Sequence, residues 1–88
     1  MERTLITETS KKVGEKVCIK GWANTVRDHG KISFIDLRDR TGIVQCVGQN
    51  LEKVSPESAI EIIGTVAERP EKLINSKINT GKIEIQIE

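Results

Sequence analysis

"KISFIDLRDRTG", residues 31–42, contains the only phenylalanine of the chain and alternates apolar with polar side chains up to a cluster of turn-forming residues. Period-two alternation marks a strand with one face buried. Two sets of side chains compete for the core, Ser33, Ile35 and Leu37 against Ile32, Phe34 and Asp36, and a sheet can bury only one of them. The following run poses the same choice, with Val44 and Cys46 on one side and Ile43, Gln45 and Val47 on the other. Burying Asp36 and Gln45 without partners would be costly. Parity therefore predicts that Ile35, Leu37, Val44 and Cys46 point inward. Phe34 and Gln45 then lie outward on neighbouring strands, even though Ile32 and Ile43 share their face.

Working outward from this stretch, the sequence reads as five strands. The first covers about residues 16–27, with Val17 and Ile19 on one face, Cys18, Lys20 and Trp22 on the other, and a bulge or bend expected at Gly21. "DHG" (28–30) and "RDRTG" (38–42) read as turns on either side of a second strand at 31–37. A third strand is expected at 43–47 and a fourth at 59–66, joined by "GQNLEKVSPES" (48–58), which could hold a short helix or only a loop, with Pro56 limiting any helix. A polar loop, 68–81, precedes "KIEIQIE", which sends Ile83, Ile85 and Ile87 inward and Lys82, Glu84 and Gln86 outward. A long curved strand, two tight hairpins and a long loop before the last strand suggest a five-stranded Greek-key barrel, the OB-fold. Such barrels bind oligonucleotides on the face of strands two and three. An SH3-like barrel is the alternative on pattern alone.

Composition limits what such a chain can do. Eighty-eight residues form one domain, 1–88, and a chain this short buries only about 60% of its unfolded surface. Thirteen isoleucines and seven valines favour strands. No apolar run approaches the ~18 residues of a membrane span, so a cytoplasmic protein without membrane contact is the default expectation. Two cysteines and a single histidine give neither a disulfide framework nor a zinc site, which normally takes four ligands. The net charge is only +1, with nine Lys/Arg against six Asp/Glu in residues 1–40 and five against seven in 41–88. Strong non-specific nucleic-acid binding needs many more cations, so any RNA contact must come from a few well-placed groups. No phosphate-cradling glycine loop or nucleophile–base pair stands out, and the chain is expected to bind rather than catalyse. The alternating run stops at Glu88 without a turn, which suggests a piece of something longer.

"GWANTVRDHGKISFIDLRDRTGIVQ" (21–45) and "GTVAERPEKLINSKINTGKIEI" (64–85) resemble the N-terminal anticodon-binding domain of bacterial-type aspartyl-tRNA synthetases, a class II family. The resemblance covers nearly the whole chain. It implies an OB-fold that reads the anticodon loop of tRNA(Asp) as the recognition domain of an aspartate–tRNA ligase. By this resemblance Phe34 matches the aromatic stacked on the middle uracil and Gln45 the amide that reads it. Glu84 matches a carboxylate associated with the first-position guanine. Arg27, Arg69 and Asn75 match polar positions near the anticodon. On the residues alone Glu84 is one of a solvated row, Arg27 could pair with the adjacent Asp28, and Asn75 could shape a loop turn. Thr25 and Val26 stand where many members carry arginines. The resemblance further implies a homodimeric parent enzyme that uses ATP and magnesium in a catalytic domain, with no cofactor in the present chain and an isolated domain that is monomeric. The alternatives are an asparaginyl-type domain, a stand-alone OB module for single-stranded nucleic acid, and an interaction barrel that binds no nucleic acid.

Overall fold

A computed structural model describes residues 2–49, 54–78 and 80–88. Five strands, β1 (Lys16–His29), β2 (Ile32–Asp39), β3 (Gly42–Gly48), β4 (Ala59–Glu68) and β5 (Ile83–Ile87), close into a barrel in the order β1-β2-β3-β5-β4. Neighbouring strands are antiparallel except β3 and β5, whose parallel pairing through Cys46↔Ile85 and Val47↔Gln86 shuts the barrel. This is the five-stranded OB-fold barrel. Of the stretch 48–58, read as a short helix or only a loop, residues 50–53 lie outside the described residues. Val54–Ser58 carries a turn.

The core follows the parity of β2 and β3. Ile35, Leu37, Val44 and Cys46 are each at most 1% exposed, and they pack with Val17, Ile19, Ala23, Ile62, Val66, Ile83 and Ile85. Ile6 plugs one end, fully buried, from a 3-10 turn at Ile6–Lys11 that the sequence pattern did not reveal. Both cysteines are free and buried. Burial, with a smaller contribution from the Asp36 charge, pushes the Cys46 thiol far above its usual range.

One sequence expectation for β1 needs correction. The bulge lies between Ala23 and Thr25, where the register with β2 shifts, and not at Gly21. Gly21 serves close approach instead: a Cβ there would sit 2.1 Å from the Arg38 carbonyl oxygen, so no larger residue fits where β1 meets β2. The bulge has the larger consequence. Val17, Ile19 and Ala23 share one face of β1 and are buried, and a regular strand would carry Thr25 and Arg27 to that same face. With Asn24 as the extra residue, Val26 packs on the core while Thr25 and Arg27 turn out. The expected turns are also shorter than read: strand pairing runs on to His29↔Ile32 and Asp39↔Gly42.

Asp39 organises the β2–β3 turn. Its Oδ1 accepts from Thr41 N (2.7 Å), Thr41 Oγ1 (2.6 Å) and Gly42 N (3.2 Å), and its Oδ2 accepts from Ile6 N at 3.0 Å. Burial alone would raise this carboxyl's pKa, but the bonds from Thr41, Ile6 and Gly42 together outweigh it and hold the group below its ordinary value. A depressed folded-state pKa stabilises the fold above the unfolded carboxyl value of about 3.9, and that stability disappears as pH falls through the lower folded value. Asp39→Asn turns an amide donor onto backbone donors and should cost about 1–3 kcal/mol in urea unfolding at pH 7. The gap between variant and parent should narrow below about pH 4. A constant gap across that range would contradict the role given to the ionised carboxylate.

Candidate nucleic-acid interface

The outer face of β1, β2 and β3 carries two cross-strand rows. One is Arg27↔Phe34↔Val47 and the next is Thr25↔Asp36↔Gln45. Phe34 points outward, as parity predicts, and is half-buried by its neighbours. The Arg27 guanidinium carbon lies 5.8 Å from the ring centroid, and His29 meets the ring edge-on at 5.5 Å with the planes 79° apart. Both contacts suit the ring quadrupole and brace the aromatic in place. Gln45 lies one row away, within diagonal reach across the two strands.

Arg27 does not pair with the adjacent Asp28, whose Oδ1 accepts from Ser33 Oγ at 3.0 Å. Its guanidinium instead donates to Asp36 Oδ1 at 3.3 Å and to Gln45 Oε1 at 3.1 Å. Asp36 Oδ2 accepts from Thr25 Oγ1. Asp36 and Thr25 are thus site residues that the sequence reading did not assign. The available signal was Asp36's place on the same strand face as Phe34.

The loop after β4 builds the opposite wall. A 3-10 turn, Glu71–Leu73, lies inside the stretch read as plain loop. Thr80, 2% exposed, donates its hydroxyl to the Ile43 carbonyl and ties the loop to β3. Gly81 lets the chain fold back on itself, because a Cβ there would fall 1.6 Å from the Asn75 carbonyl oxygen. Asn75 takes the turn-forming role open to it on sequence, its Oδ1 accepting from Lys77 N at 3.0 Å. Arg69 is only 8% exposed and is a brace: Nε donates to the Ile83 carbonyl at 2.8 Å and NH1 to the Leu73 carbonyl at 3.2 Å. Burial pushes its pKa below the usual guanidinium value, opposed by the nearby Glu84 and Asp36 carboxylates and aided by Arg27. The group still remains charged.

These walls enclose a groove of about 360 Å³ that brings together five of the six sequence-predicted site residues: Arg27, Phe34, Gln45, Arg69 and Asn75. Asp36, His29, Ile43, Leu73 and Ile78 line it with them. The sixth, Glu84, lies half-buried on the outer face of β5 and lines a neighbouring groove with Ile32, Val47 and Gln86. Trp22 stands apart, its ring 5.0 Å from the Arg38 guanidinium carbon, in a third groove beside Arg3 and Lys20. Among the described residues no three His, Cys, Asp or Glu side chains gather as metal ligands, and no helix is long and apolar enough to cross a membrane.

An OB barrel with an outward aromatic, a side-chain amide and guanidinium groups gathered in one surface groove belongs to the class of nucleic-acid-binding modules. The family model for the OB-fold nucleic acid binding domain of tRNA-anticodon type matches residues 17–88, and the chain belongs to that family. Among curated relatives it is 51% identical over 89 residues to an aspartate–tRNA(Asp/Asn) ligase of Geobacillus sp. (strain WCH70), covering 91% of this chain and 15% of the relative. It is 44% identical over 89 residues to an aspartate–tRNA ligase of Bacillus licheniformis, again 91% and 15%. The chain thus spans about 15% of the length of such relatives. Among solved structures, aspartyl tRNA synthetase from Entamoeba histolytica superposes with a TM-score of 0.85 at 23% identity, covering 99% of this chain and 20% of that one. That likeness is one of fold. Asparaginyl-tRNA synthetase from Pyrococcus horikoshii gives 0.77 at 26% identity, covering 99% and 21%.

The brace role of Arg69 is testable without RNA. Arg69→Lys removes the fork that reaches two carbonyls. It should cost about 0.5–1.5 kcal/mol in chemical unfolding and speed amide hydrogen exchange across Glu71–Ile78. Unchanged exchange in that loop would show that Arg69 does not hold it.

Proposed function

We propose that this chain is the anticodon-binding domain of an aspartate–tRNA ligase and takes the anticodon loop of tRNA(Asp) in the groove between Phe34 and the 68–81 loop. The observation that carries this reading is Phe34 itself, an aromatic held on the outer face of β2 with the Gln45 amide beside it. A splayed base can stack on the ring while a side-chain amide meets its Watson–Crick edge. Stacking on such a platform is worth about 1–3 kcal/mol per base. Uracil is the base proposed for the ring, in line with the resemblance that places the middle anticodon position at Phe34. Glu84, in the adjoining groove, accepts from the donors on the edge of a first-position guanine. Asn75 and the loop backbone flank the neighbouring nucleotide, and Arg69 holds that loop in place as well as lending its charge.

The anticodons of tRNA(Asp) and tRNA(Asn) share their first two bases, so a site for the middle uracil suits both. Support for this comes from relatives named for both tRNAs. In this reading aspartate activation, with its ATP and magnesium, and assembly into a cytoplasmic homodimer belong to the whole synthetase. No step of that chemistry is assigned to the residues of this chain.

The test is titration of a fluorescent anticodon stem-loop at low salt. Phe34→Ala should weaken binding by about 1–3 kcal/mol while leaving unfolding free energy within about 0.5 kcal/mol of the parent. A large loss of stability with no loss of affinity would make Phe34 a structural residue and sink the reading. Gln45→Ala should lower discrimination at the middle base. An equal loss for every base at that position would remove Gln45 from direct contact.

A further inference from the structure

The hydrogen-bond ladder on one side of β4 stops before the strand does. Toward β1 the bonds fall on even-numbered positions, with Ala23 N donating to the Ser58 carbonyl at 2.9 Å and Val66 N donating to the Glu15 carbonyl at 3.0 Å. Antiparallel pairing alternates, so the odd-numbered positions turn their N–H and C=O groups to the other side. There they meet β5: Arg69 N donates to the Lys82 carbonyl at 2.8 Å, and Glu88 N donates to the Ile63 carbonyl at 3.0 Å. Pairing with β1 covers Ala59–Thr65, but pairing with β5 covers only Gly64–Glu68. Glu61 and Ala59 are the next odd positions beyond Ile63. Among the described residues no strand pairs with them on that side.

This edge has little to keep another strand away. A row of unpaired backbone groups is a template for pairing unless charge, proline or a bulge spoils it. Ala59–Ile63 holds three isoleucines and a single charge, Glu61, which lies 3.4 Å from the Lys20 ammonium. Ile60 packs against the core and is only partly buried. On the outer face Ala59 is in register with Trp22, and the two line a groove of about 610 Å³ with Ile60 and Arg40.

We propose that this edge seats a continuation of β5, supplied by the polypeptide that follows β5 in the parent ligase, and that the paired strand is a rigid joint between this domain and the rest of the enzyme. The proposal rests on the reading of the chain as one domain of an aspartate–tRNA ligase, of whose relatives it spans about 15%. β5 already runs antiparallel to β4 and enters the edge in line, so the continuation needs no turn. Extending the register of Gly64↔Ile87 sets Glu61 opposite the second residue beyond Glu88 and Ala59 opposite the fourth. Each of those residues then donates to β4 and accepts from it. The side chain of the fourth lies on the outer face beside Ala59, where an apolar group fills the groove against Trp22. The chain leaves the barrel on the Trp22 side in a fixed direction. Such a joint holds the anticodon groove at a set distance from a remote reaction centre, whereas a flexible linker would have to be ordered each time a tRNA spans both.

The test is backbone amide exchange, read by mass spectrometry at single-residue resolution, on the present chain and on the intact ligase. In the present chain the Glu61 and Ala59 amides should exchange fast, and those of Ile60 and Ile62, turned to β1, slowly. In the intact ligase Glu61 and Ala59 should slow by at least about tenfold, together with the amides of the second and fourth residues beyond Glu88. Glu61→Pro removes a donor from the edge and none from the β1 ladder, a change that edge strands tolerate. It should leave the present chain folded by circular dichroism and return the Ala59 amide to fast exchange in the intact ligase. The comparison of the unsubstituted proteins decides the proposal even where that variant does not fold. Equally fast exchange of Glu61 and Ala59 in both proteins overturns the joint. Slow exchange of both in the present chain does so too, because the edge is then already paired. Slowing at these amides without slowing beyond Glu88 assigns the edge to another part of the ligase or to a separate protein, and overturns it as well. Charging of tRNA(Asp) with aspartate, measured on the same intact protein, tests the underlying reading. Absence of charging would sink that reading, and the exchange pattern would still decide the strand addition.

Discussion

A buried carboxylate, that of Asp39, connects the two ends of the first forty residues. Its oxygens take four hydrogen bonds, three from the turn between β2 and β3 and one from the N-terminal plug at Ile6. The turn bonds set the hairpin register at Asp39↔Gly42, and every later pair follows from it, down to Asp36↔Gln45 and Phe34↔Val47. A slip of one residue would send Gln45 into the core and Val44 to the surface. The bond to Ile6 closes the barrel end with an isoleucine that is fully buried. Ionised, the carboxylate does both jobs, because only an acceptor on both oxygens satisfies donors arriving from two directions.

The second constraint is the extra residue in β1. Without it, strict alternation would bury Arg27, and a buried guanidinium needs partners that the aliphatic core does not offer. With it, the same strand gives Ala23 and Val26 to the core and Thr25 and Arg27 to the outer face. The site therefore depends on one irregularity set between two regular stretches, and its polar chain from Thr25 to Gln45 forms only on the far side of that irregularity. Bulges next to functional surfaces commonly re-aim side chains in this way.

Strand count, the core of β2 and β3 and the outward direction of Phe34 were legible in the sequence, because each follows from period-two alternation plus the cost of burying Asp36. Gly21 misled for a physical reason: a glycine within a strand signals a bulge or a close backbone approach equally well, and here Arg38 comes too near for any Cβ. The true bulge falls at Asn24. Asparagine is depleted in strands, but a single one reads as easily as an outward polar residue of a regular strand, so the mark was too weak to place the irregularity. Arg69 looks like a free cation in sequence, and only the fold shows that the carbonyls of Ile83 and Leu73 claim it. Arg27 had Asp28 next to it, but neighbours along a strand point to opposite faces, so its partners come from other strands. The 3-10 turn at Ile6–Lys11 was illegible because its one buried aliphatic contact, Ile6, has no periodicity to announce it.

The charges in the groove are largely committed to the protein's own groups. Arg27 serves Asp36 and Gln45, Arg69 serves two backbone carbonyls, and the chain as a whole carries a net charge of +1. Long-range attraction of a polyanion is accordingly weak, since that attraction grows with the number of phosphates neutralised. What the groove offers instead acts only at contact: a braced aromatic ring, an oriented amide and a loop wall pinned at Thr80 and Arg69. Interactions of this kind fall away when a base is wrong or misplaced, whereas a diffuse positive field favours any nucleic acid. On the proposed reading, the same arrangement that keeps the domain from binding RNA indiscriminately makes its preference depend on the identity of a base.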